Sequence, residues 1–180
     1  MAVLPIIIAP DPRLKLRCKP VEAVDDDTRR LMDDMLETMY LAPGIGLAAP
    51  QVGVAKRVVV IDVSRKEEPR DPIRMANPEI VAVSQEMASY EEGCLSLPEH
   101  YADVERPAAV TVRFLDETGK RREETFDGLA ATCIQHEIDH LDGLLFVDHI
   151  SALKRNMILR KLTKQKRVDE KDRQKAKAVA

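Results

Sequence analysis

At 180 residues the chain fits a single domain, long enough to bury most of the surface its unfolded form would expose. No apolar run approaches the roughly 18 residues of a membrane-spanning helix, and the apolar N-terminus carries Pro5 and no basic lead, which argues against a transmembrane segment and a secretory signal. The net charge of −3 hides a gradient: from Lys154 onward eleven Lys/Arg face three acids, so that end carries about +8 and the remainder about −11. Cys18, Cys94 and Cys133 are an odd, widely spaced set, suited to thiols in a reducing cytoplasm rather than to a disulfide framework.

Asp25, Asp26, Asp27 and Thr28 supply a cap and an acidic first turn, after which Leu31, Met32, Met35, Leu36 and Met39 recur at helical spacing until Pro43 stops the run. The pattern predicts a helix of about four turns whose Met/Leu stripe is core. Residues 44–53 follow, with Gly44, Gly46 and Gly53 and two alanines; such small residues let a backbone pass close to a partner strand or a ligand. A phosphate loop is not expected there, since no Lys-Ser/Thr pair follows and no helix clearly starts. The β-branched run 57–63 reads as a buried strand and 64–72 as a charged loop. Strands are expected near 73–83 and 86–91, with a bend at Asn77-Pro78, and residues 91–98 lead out of that sheet.

Residues 109–114 and 121–126 read as a hairpin turned at 117–120. Asp127-Gly128 opens a helix that Leu129, Cys133 and Leu141 help to bury. Ser151 caps a last helix with the stripe Leu153, Met157, Ile158 and Leu162, and frayed structure is expected after about Arg167. The expected organisation is one domain over residues 1–167 and a basic, flexible tail over 168–180.

Chemistry concentrates at residues 135–143. His136 and His140 stand four apart, so one helical face aims both imidazoles at one point, and Glu137 sits beside the first, placed to handle a proton. The third histidine of one H-E-x-x-H class is absent, since Phe146 stands in its place, and the only glutamate after His140 is Glu170 in the charged tail. A third ligand must therefore come from upstream. Cys94 follows Gly93 in an otherwise uncharged turn. Cys133 precedes His136 by three residues, on nearly the same face. On spacing alone both stay open, and a buried small hydrophobe is the plain alternative for either.

Taken together, residues 44–51 (GIGLAAPQ), 92–96 (EGCLS) and 135–140 (QHEIDH) resemble, in order and separation, the three signature motifs of the peptide deformylase family. The resemblance covers nearly the whole chain to about residue 165. It implies an α+β fold, with antiparallel strands wrapped around a central metal-binding helix and with an N-terminal and a C-terminal helix. It implies that Cys94, His136 and His140 bind a divalent metal with water in its fourth position and that Glu137 is the general acid/base. It also implies that the Gln51 amide and the Leu95 backbone N–H stabilise the oxyanion. Substrate is expected as an added strand between the backbone of Gly44, Ile45, Gly46 and Leu47 and the segment at Gly93, with Cys133 lining the same channel.

The implied activity is removal of the formyl group from the N-terminal formyl-methionine of new proteins, by a cytoplasmic monomer. Ferrous iron is the implied ion, with zinc, nickel or cobalt able to replace it. The implied partners are N-formylmethionyl nascent peptides and the ribosome, met through the basic C-terminal helix. Glu92 and Arg106 match positions of a structural ion pair. Tyr101 stands where many members have a basic residue, and is expected to widen the peptide channel or stack on the peptide. His100 and His149 have no partner in spacing and read as surface histidines.

Overall fold

Asp25 caps the first helix, α1 (Asp26–Leu41), as its sequence predicts: the carboxylate accepts from the Thr28 N–H at 2.8 Å in this computed structural model, which describes residues 2–179. Met32, Met35 and Met39 are fully buried and pack with Leu47, Val58, Val60 and Ala76. The strands they meet are β1 (Gly46–Ala48), β2 (Val58–Ile61) and β3 (Ile73–Val83), joined by β6 (Ala109–Leu115) and β7 (Arg121–Asp127). These five form one antiparallel sheet in the order β1-β2-β3-β6-β7.

All four residues of β2 are buried because both faces of the sheet are covered there. Val58 and Val60 face α1, whereas Val59 and Ile61 join the cluster of Ala131, Ile134, Ile138 and Leu141 from the second helix, α2 (Gly128–Leu141). A continuous β-branched run is what a strand covered on both faces requires. From Ala131 to Leu141, α2 is buried except at Asp139, so it forms the centre of the molecule.

The bend expected at Asn77-Pro78 is present as a bulge within β3: Asn77 adopts φ 51°, and its amide exchanges two 2.8 Å hydrogen bonds with the Val21 backbone. Other expectations are corrected. The segment near 86–91 belongs to a different sheet. There β4 (Met87–Cys94) pairs only with β5 (Leu97–Pro107), a strand the sequence reading did not foresee, and Leu95-Ser96 forms the turn between them. The register jumps from Gly93↔Tyr101 to Cys94↔Leu97, which leaves residues 98–100 bulged out beside the turn.

Leu129 is 43% exposed rather than buried, since the first turn of α2 lies at a cleft rim. On the last helix, α3 (Ala152–Val179), Leu153 and Met157 are exposed, and the inward face is Ile158, Leu159 and Leu162 against Leu97, Val104, Phe146 and Val147. The helix also runs past Arg167 to Val179. Its Lys, Gln, Arg and Ala residues are good helix formers even where no apolar face packs, and Gln165 donates to Asp169 one turn on.

Candidate metal centre and active site

The β4–β5 turn and α2 meet across a cleft of about 390 Å³, and most of the functional candidates line it. Cys94 ends β4, while His136 and His140 project from successive turns of α2. One donor atom from each lies within 4.8 Å of the others, and among the described residues no other His/Cys/Asp/Glu group converges in this way. Cys94 Sγ is 3.3 Å from His140 Nε2. Donors of a tetrahedral site stand about 3.5 Å apart, so the cluster has the dimensions of a cation site. Cys133 is not part of it; its buried thiol points to the Ile45 carbonyl at 3.5 Å, on the cleft wall.

The surroundings fit a cation. His136 Nδ1 meets Glu92 Oε2 at 2.9 Å, an arrangement that gives Nδ1 the proton and turns Nε2 toward Cys94 and His140. Burial opposes charge on His136, yet its contacts with Cys94, Glu92 and Glu137 outweigh that and raise its pKa. Burial lowers the pKa of His140 and so keeps that ring neutral, as a ligand must be. One thiol, two imidazoles and flanking carboxylates make a pocket that attracts positive charge, and the donor set suits a divalent transition metal.

Glu137 lies beside the ligands, fully buried, with Oε2 lacking any hydrogen-bond partner. Burial is the main influence on it and raises its carboxyl to about 7, the range of a group that must both take and return a proton. Gly46 explains how the carboxylate fits: a Cβ there would sit 2.4 Å from Glu137 Oε1 and 2.7 Å from Cys133 Sγ. The small-residue stretch is thus an edge strand pressed against α2, its other edge bordering the cleft.

Gln51 is buried in a 3₁₀ turn, Ala49–Val52. Its Oε1 accepts from the Ala48 N–H at 2.9 Å, which orients Nε2 to donate to Ser96 Oγ at 3.1 Å and toward Cys94 Sγ at 3.5 Å. Leu95 occupies the turn itself, its side chain against Gly44, where a Cβ would lie 2.7 Å from Leu95 Cδ1. Gly93 and Tyr101 face each other across the β4–β5 pair, and the tyrosine ring lies where a Gly93 Cβ would be, 2.5 Å from Cε1. The structure therefore brings Gly44, Ile45, Gly46, Gln51, Gly93, Cys94, Leu95, Cys133, His136 and Glu137 to one cleft; Leu47 stands apart, its side chain buried toward α1.

Of the remaining histidines, His149 lies on the surface as expected but has a partner, its Nε2 meeting Asp139 Oδ2 at 2.7 Å; His100 is half-buried and lines the cleft from the bulge beside Glu99. Glu92 and Arg106 do pair, at 2.6 and 3.0 Å, but Glu92 also grips His136, a contact that spacing could not reveal. Asp139 and Ser96 were missed although both lie inside quoted motifs; only the fold turns Asp139 toward Arg106 and Ser96 toward Gln51.

A sequence model of the polypeptide deformylase family matches residues 3–156. A peptide deformylase of Agrobacterium fabrum is 56% identical over 167 residues, 93% of this chain and 98% of its own. The crystal structure of peptide deformylase from Ehrlichia chaffeensis in complex with actinonin superposes with a TM-score of 0.88 at 43% identity, covering 93% of this chain and 99% of that one. A Met-Ala-Ser-bound crystal structure of a class I type b peptide deformylase from Acinetobacter baumannii gives a TM-score of 0.78 at 39% identity, covering 83% and 99%.

Proposed function

Since this chain belongs to the peptide deformylase family, metal-dependent hydrolases that remove the N-formyl group from nascent peptides, we propose how its own residues divide that work. Cys94, His136 and His140 hold the metal. A divalent cation in such a site supplies Lewis acidity that brings the pKa of water down to about 7 in favourable cases. Glu137 takes the proton of the attacking water, holds it in a buried site, and returns it to the departing amine so that formate and a free N-terminus separate. The Gln51 amide and the Leu95 backbone N–H donate to the oxygen that gains charge.

The formyl-peptide lies along the open edge of β1, with its methionine toward Cys133 and its continuation running past Gly93 and Tyr101. The Met-Ala-Ser tripeptide held by the Acinetobacter baumannii protein supports a channel of this kind. The observation that carries the reading is the convergence of one thiol and two imidazoles beside a buried carboxylate whose pKa is about 7. Glu137→Gln tests it. The variant is expected to keep its metal and to lose formate release from a formyl-Met peptide by at least about 10²-fold; turnover at the parent rate would overturn it.

Two finer assignments belong to the same proposal. Ferrous iron is the working ion, replaceable by zinc, nickel or cobalt, so activity of an anaerobic preparation should fall in air unless one of those is exchanged in. The enzyme works as a cytoplasmic monomer at the ribosome, and no helix among the described residues is long and apolar enough to cross a membrane. Support for the ribosome comes from the exposed side of α3, where Arg160, Lys164, Arg167 and Lys171 form a basic face that suits RNA phosphates.

A further inference from the structure

Five side chains form an unbroken line from the metal site to the base of the C-terminal helix. His136 Nδ1 meets Glu92 Oε2 at 2.9 Å, and Glu92 accepts from Arg106 Nε and Nη2 at 2.6 and 3.0 Å. Arg106 Nη1 then donates to Asp139 Oδ2 at 2.8 Å, and the same oxygen meets His149 Nε2 at 2.7 Å. The members come from α2, β4, β5 and the turn Phe146–His149, which Asp148 ties to α3 through Arg155 at 2.9 Å.

An ion pair as buried as Glu92–Arg106 loses much of its attraction to desolvation, so stability alone is a weak reason for it. Orientation is a stronger one. The guanidinium is a rigid fork, and its two Glu92 contacts leave Nη1 in need of an acceptor, which Asp139 supplies. Asp139 stands one residue before His140 and three after His136, yet its carboxylate is occupied away from the cleft. His149, on the surface, makes the last contact of the line.

We propose that Asp139 and His149 are positioning residues for the metal centre: their hydrogen bond sets the plane of Arg106, which holds Glu92, which fixes the His136 ring with Nε2 toward the cation. The inference rests on the ligand assignment above. Loss of His149 frees Asp139 to rotate, Arg106 to tilt, and the His136–Glu92 contact to lengthen. Removing a partner that orients a metal-bound histidine commonly costs 10- to 100-fold in metal affinity; His149 acts three links further out, so an effect of about tenfold is expected.

The competing account is that His149 only ties its turn to α2. Zinc, a redox-inert probe, separates the two. The full-length protein, its H149F, H149Q and D139N variants, and C94A are loaded with zinc; zinc loss to excess chelator is followed, and Tm is measured with and without the ion. H149F and D139N should release zinc about tenfold faster. Their Tm should fall more with zinc bound than without it. H149Q, whose amide can donate to Asp139, should return most of the parent rate. Release at the parent rate in both H149F and D139N, or an equal fall in Tm with and without zinc, would overturn the proposal and leave a structural tie only. Failure of the ligand assignment has a different signature, full zinc retention by C94A.

Discussion

Glu137 has no hydrogen-bond partner at Oε2, and Gly46 leaves just the room its Oε1 occupies. These two residues make sharp, separate predictions. Gly46→Ala places a methyl group where Glu137 Oε1 and Cys133 Sγ already are, so one of them must move. We expect a destabilisation of about 1–3 kcal/mol in thermal unfolding and a larger proportional loss of formate release, because one of the two crowded side chains is Glu137, the proposed proton carrier. The pH dependence follows from the same carboxylate. Burial holds its pKa at about 7, and the proton-accepting form is the ionised one, so kcat/KM should fall as pH drops through that value. A bound cation shifts the midpoint downward, never upward, because positive charge favours the carboxylate. Gln51→Leu removes one of the proposed donors to the developing charge, and kcat should drop by on the order of 10²-fold, with a smaller change in KM.

At the scale of elements, Glu92 links β4 to α2 and β5, and its protonation should loosen that joint. Burial pushes its pKa up, but hydrogen bonds from His136 and Arg106 outweigh it and bring it down to about 2. A depressed carboxyl contributes stability that is fully present above its unfolded value near 4.5 and is lost as pH falls toward 2. The difference in Tm between metal-free parent and Glu92→Gln should therefore be largest near neutrality and close across that window; a difference constant from pH 6 to pH 2.5 would contradict the assignment. Among the described residues of α3, none beyond Leu162 joins the core and Lys166 donates to the Pro10 carbonyl at 3.1 Å, so deleting residues 165–180 should leave turnover of a short formyl peptide intact and weaken the salt-sensitive ribosome binding proposed above. Where an element carries one strong local pattern it was legible in advance: the α1 stripe, the β2 run, the β6–β7 hairpin. The β5 strand was not, because Pro98, Pro107 and alternating charges hide it and only its pairing with β4 defines it. Leu153 and Met157 misled for the opposite reason, being apolar residues at helical spacing with no partner surface beneath them.

Across the whole molecule, the site joins Gln51, Cys94, His136, Glu137 and His140, residues that three separate stretches of sequence supply and the fold brings to one cleft. Spacing within the last stretch told of two imidazoles and a carboxylate, since a helix preserves i, i+4 geometry. It could not choose between Cys94 and Cys133, because that choice depends on how β4 meets α2, a contact between segments 42 residues apart at their nearest ligands, Cys94 and His136. The resemblance to known motifs favoured Cys94, and the fold separates the two thiols, one among the imidazoles and one on the channel wall. The Glu92–His136 and Asp139–His149 contacts have no trace in local pattern at all.

The claim underlying the rest is that one sulfur and two imidazole nitrogens from this chain hold the ion. X-ray absorption at the metal edge, on anaerobically prepared protein and on its Cys94→Ala variant, tests it most directly. The account predicts one sulfur neighbour at about 2.3 Å with the remaining ligands nitrogen or oxygen, and loss of that sulfur, and of formate release, in the variant. A parent spectrum without sulfur, or a variant that keeps both the sulfur signal and full hydrolysis, would contradict it.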